Sequence, residues 1–81
     1  MAKVDLSKFE VQPDQAVLDE IERTNAPAHK MISEAIKYVD GSEEQDLAVQ
    51  RYFIDKGYSD EMAGWLVREA NTRRAADLGS N

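Results

Sequence analysis

Cysteine is absent from the chain, and histidine and tryptophan occur once each. Without thiols there can be no disulfide, no thiolate metal site and no cysteine nucleophile. The cysteine-free composition fits a reducing compartment. The lone His29 has no serine elbow or glycine-rich loop around it. It is expected on the surface or at a rim, without a catalytic role. No second histidine exists, and the acidic residues do not follow a calcium-loop spacing, so neither a metal nor any other cofactor is expected. Long apolar runs are missing as well. The opening Met1-Ala2-Lys3-Val4-Asp5-Leu6 has no apolar h-region, and no stretch approaches about 18 apolar residues. Neither secretion nor membrane spanning is expected, and the protein is read as cytoplasmic.

What is present is enough for one core. The chain has 81 residues, 42% hydrophobic and 32% charged. A chain of that length buries roughly 60–65% of its unfolded surface, which leaves a thin stability margin. The net charge is −6, from 10 basic and 16 acidic side chains. The halves share it evenly: residues 1–40 and 41–81 each carry five basic and eight acidic groups. Phosphate is repelled by such a surface, so nucleic acid is disfavoured as a partner.

Residues 1–12 show no helical period. Val4 and Leu6 alternate, the phase slips by one, and Phe9 and Val11 alternate. That pattern predicts an extended arm or short strand. A lone strand must pair with a symmetry mate, pack across helices or stay mobile. Pro13 is placed to open a first helix, with Asp14 after it and an end near Thr24. Val17, Leu18 and Ile21 mark its apolar face, opposite Asp19, Glu20 and Glu22. Asn25-Ala26-Pro27 is a break and restart, with Asn25 or Ala26 capping and Pro27 in the next first turn. Ala28, Met31, Ile32, Ala35, Ile36 and Val39 then give the strongest helical period in the chain. Asp40-Gly41 ends it, Gly41 supplying a left-handed cap.

Ser42-Glu43-Glu44-Gln45 reads as a capping box. The third helix carries Leu47, Ala48, Val49, Tyr52, Phe53 and Ile54, a face too broad for one-sided burial. Lys56-Gly57 ends it, and Ser59-Asp60-Glu61 caps a fourth helix reaching about Asp77. Met62, Ala63, Leu66, Val67 and Ala70 form its core stripe, with Trp65 beside it. The short connections predict that consecutive helices are neighbours. The fold class is therefore all-α: a compact bundle of about four short helices on residues 13–78, an extended N-terminal arm on 1–12, and a tail on 79–81.

Arg68, Arg73 and Arg74 fall in the last turns of the fourth helix, where cations suit the helix dipole, and Glu69 can pair with Arg73 at i+4. Tyr52, Phe53, Tyr58 and Trp65 exceed what a small core must hide, and Tyr and Trp are favoured interface anchors. Partner binding is therefore expected at Tyr52, Tyr58 and Trp65, with the acidic face of Asp19, Glu20 and Glu22 as a contact for a basic partner.

Residues 9–39 resemble the ribbon-helix-helix family of dimeric repressors and antitoxins. Phe9-Glu10-Val11 stands where that family has its strand, Pro13 at its helix opener, and Ile32-Ser33-Glu34-Ala35-Ile36 in its second helix. The resemblance implies paired strands reading the DNA major groove, although Glu10 and Gln12 replace the family's basic residues. Gly57-Tyr58, Ala63 and Ala75-Ala76 are similar to ubiquitin-associated domains, which implies three separate helices there. The reading carried forward is a small acidic, non-enzymatic regulator, inhibitor or adaptor that binds another protein. Phage-encoded and other accessory factors are analogous in size and charge. A homodimer is a further possibility, and the alternative is a ribbon-helix-helix-like DNA-binding repressor or antitoxin.

Overall fold

The computed structural model describes residues 9–79, which form four helices: α1 (Gln15–Thr24), α2 (Ala28–Ile36), α3 (Glu43–Asp55) and α4 (Asp60–Gly79). The expected alternation of Val4 and Leu6, and residues 80–81 of the expected tail, lie outside the described residues.

The 20-residue α4 is the centre of the fold, about 30 Å long at 1.5 Å per residue. α1, α2 and α3 each pack on it, and contacts among those three are sparse. The expectation that consecutive helices would be neighbours thus holds only for α3 and α4. A hub helix keeps only a narrow solvent side, here Glu61, Gly64 and Arg68, and the sequence shows why. Met62, Ala63, Trp65, Leu66, Val67, Glu69 and Ala70 are all buried, so apolar residues surround most of the first three turns. The expected five-residue stripe was too narrow. Past Ala70 the helix is mostly polar: Asn71, Thr72, Arg73, Arg74 and Asp77 fall there.

Local chemistry explains the helix ends, with some shifts from expectation. Pro13 precedes α1 rather than opening it, because Asp14 is the extended cap residue. Asn25 closes α1 in the left-handed region (φ 54°), its amide bonded to the Ile21 carbonyl. It therefore terminates the first helix and does not cap the second, whose cap position is Pro27 itself. α2 stops at Ile36, before the last residue of its apolar period, yet Val39 still reaches the core at 4% exposure. Gly41 takes the expected positive φ (89°) in the loop beyond.

Half of the capping box forms. The Ser42 hydroxyl accepts the Gln45 amide at 3.2 Å, as required of an N-cap. The Gln45 side chain turns away and donates to the Tyr38 carbonyl at 2.7 Å. Ser42 instead gives both its amide and its hydroxyl to Asp40, whose carboxyl is held below its ordinary range by those two bonds. On α3 only Val49 and Phe53 are buried, with Ile54 partly so. The broad apolar face is therefore left in part uncovered: Leu47 is 62% exposed.

Residues 9–12 are not a strand, and no strand occurs among the described residues. Phe9 is buried in the core and Val11 packs partly against it, so the end of the arm lies across helices. The Glu10 and Val11 amides donate to Glu69, and the Val11 carbonyl accepts from Trp65. These backbone groups, which a two-chain ribbon would pair, are used within the chain. α4 continues without a break, so the three-helix arrangement of a ubiquitin-associated domain is not found after Gly57-Tyr58.

Candidate partner-binding face

The sequence nominated six contact residues, and the structure separates them. Trp65 is fully buried and donates its indole N–H to the Val11 carbonyl at 2.7 Å. It belongs to the core, beneath the N-terminal segment. Glu20 is buried too, at 6% exposure, and is not part of a solvated face. Its carboxylate accepts the Ser59 amide at 2.9 Å and the Ser59 hydroxyl, holding the start of α4. Tyr58 is half-buried and packs against the core, because left-handed Gly57 (φ 105°) turns the chain back inward. Asp19 and Glu22 remain exposed on α1, and Asp19 accepts the Gln15 side-chain amide at 2.8 Å.

Tyr52 remains at the surface with 40% exposure. Its neighbour there is Tyr38, 52% exposed, which the sequence did not nominate. The two rings lie 6.4 Å apart at 52°, and with Gln45, Ala48 and Val49 they line a shallow groove of about 310 Å³. α3 supplies Gln45, Ala48, Val49 and Tyr52 at the spacing of one helix face. The chain after α2 supplies Tyr38, and the Gln45 bond to the Tyr38 carbonyl fixes that chain to α3.

Polar contacts set the orientation of Tyr52. Its hydroxyl donates to a Glu34 carboxylate oxygen at 2.7 Å, and the Lys56 ammonium lies 4.8 Å from its ring centroid. Bonding to Tyr52 raises the Lys56 pKa above its ordinary value, and the Glu34 charge adds to the rise. The ring is also braced edge-on by buried Phe53, 5.2 Å away. An aromatic side chain held in this way loses little rotamer freedom when it is covered, which suits it to serve as an anchor.

Arginines do not form a single patch. Arg73 pairs with buried Glu69, as the i+4 spacing predicts. Arg74 approaches the loop at Gly41, and Arg68 projects exposed from another side of α4. Among the described residues, no group of three or more histidines, cysteines or acids is placed to hold a metal ion, and no helix is long and apolar enough to cross a membrane. His29 is exposed and stacks on Phe9 at 5.0 Å. Comparison with family models, curated proteins and solved structures finds no match to this chain.

Proposed function

We propose that the chain is a small acidic, non-enzymatic regulator, inhibitor or adaptor that binds another protein through the Tyr38–Tyr52 groove. One observation carries the reading. Two tyrosines from separate elements stay exposed side by side over an apolar groove, while Phe53 and Trp65 are buried beneath the surface. Leaving this apolar area open has no benefit to folding, and aromatic rings at the centre of an apolar depression are the usual anchors of an interface.

The net charge of −6 favours a partner with a basic surface, and exposed Asp19 and Glu22 on α1 are suited to steering it. Action in the cytoplasm is part of the proposal and rests on the cysteine-free composition. The test is titration of a captured partner against wild type, Tyr52→Ala, and the double reversal Asp19→Lys/Glu22→Lys. Tyr52→Ala should weaken binding at every ionic strength. The charge reversal should act mainly at low salt, where screening is weakest. Wild-type affinity in Tyr52→Ala contradicts the placement of the site.

A further inference from the structure

Residues 9–12 are fastened to α4 by an unusual set of bonds. Glu69, fully buried, accepts the Val11 amide on one carboxylate oxygen (2.6 Å) and the Glu10 amide on the other (3.0 Å). Trp65 donates to the carbonyl of Val11, and Phe9 is clasped between His29, stacked at 16°, and the edge of Trp65, at 84°. We propose that this segment is a strap clamped by the ionised carboxylate of Glu69, and that protonating Glu69 releases it while the four helices stay folded.

Apolar burial holds the strap less than it holds the helices. Among the described residues, Phe9 is the one buried hydrophobic of the strap, with Val11 partly buried beside it, and the others run from Val17 to Ala70 within the helical body. An element with so small a share of the core opens at lower free energy than the whole. The clamp depends on a two-oxygen acceptor. A protonated carboxyl turns one oxygen into a donor, which then faces an amide N–H instead of accepting from it. It also loses its charge attraction to Arg73, which pairs with Glu69 from one turn further on.

The direction of the pH effect follows from the same contacts. Burial pushes the Glu69 carboxyl up, but the Glu10 and Val11 amides and then Arg73 outweigh it and hold the pKa below the ordinary value. A carboxylate depressed in the closed state stabilises closure above its unfolded pKa, and this contribution is lost as pH falls through the depressed value. The charged and titratable groups nearby are Arg73 on α4, the exposed Glu10 side chain on the strap, and His29 on α2. His29 touches the Phe9 ring and neither of the two amides that Glu69 accepts.

Trp65 is the only tryptophan and lies under the strap, so its emission and acrylamide quenching report opening directly. The full-length protein is titrated from neutral pH into acid, with helical circular dichroism followed in parallel. Trp65 should become accessible to quencher at a pH where helical content is still intact. Glu69→Gln should lack this early step, and His29→Asn should keep it. A single concerted loss of protection and helix in wild type would overturn the proposal. So would an early step that persists in Glu69→Gln or disappears in His29→Asn. If Glu69→Gln fails to fold, Arg73→Gln decides: without that charge beside Glu69 the early step should move to higher pH, and a step that does not move sinks the idea.

Discussion

Both carboxylate oxygens of Glu20 on α1 are bonded to Ser59 at the start of α4, one to its amide and one to its hydroxyl. The Ser59 hydroxyl in turn accepts the Met62 amide at 3.1 Å, capping α4. A buried acid on one helix thus orients the cap of another, where negative charge also suits the helix dipole. Glu20→Ala should destabilise by about 1–3 kcal/mol, since it strands the Ser59 donors. Ser59→Ala should cost about 0.5–2 kcal/mol. Because the two act as one unit, urea denaturation of the double variant should show less than the sum of the single losses. Strict additivity would mean that the pair is not coupled.

A second prediction separates two isoleucines of α2. Ile32 is 1% exposed, whereas Ile36 is only partly buried against the core. Ile32→Ala should cost about 2–5 kcal/mol, a large share of the stability of a domain this size. Ile36→Ala should cost clearly less. Equal shifts in denaturation midpoint would contradict the burial difference.

Two glycines should respond to alanine with opposite signs. Gly57 has φ 105° and open space around it, so the penalty there is purely one of backbone conformation, about 1–2 kcal/mol. Gly64 lies inside α4, where an added Cβ would meet only the movable end of the Arg68 side chain at 3.4 Å. Gly64→Ala should therefore stabilise by about 0.5–1 kcal/mol. Thermal unfolding of the two variants checks the pair, and a drop for Gly64→Ala would show that Arg68 cannot yield.

The helices were legible because their ends carry local chemistry: Asn25, Ser42 and Gly57 mark boundaries whatever the tertiary context. Which charged residues go inside was legible only by phase. Glu20 falls at i+3 from Val17, and Glu69 at i+3 from Leu66, so both lie within the apolar period of their helices. Charge alone assigns them to solvent, but an acid in the buried phase marks a carboxylate that bonds backbone or cap groups. The Tyr38–Tyr52 groove was harder to see. Tyr38 lies past the end of α2 and off the phase of Ala28–Val39, and it meets Tyr52 only because the loop and α3 are tied by Gln45. Trp65 lies beside the apolar stripe and its residue type also suits an anchor, whereas the strap that covers it is not revealed by periodicity.

We propose that the Tyr38–Tyr52 groove is the surface that engages a partner protein. Its most direct test is paired affinity capture from native cell extract, with wild type and the Tyr38→Ser/Tyr52→Ser variant as baits and unfolding midpoints measured for both. Neither side chain belongs to the buried core, so the variant should remain folded. The account predicts a protein retained by wild type and depleted at least about tenfold on the variant, corresponding to about 1.4 kcal/mol of binding free energy. Recovery of the same proteins in the same amounts on both baits would contradict it.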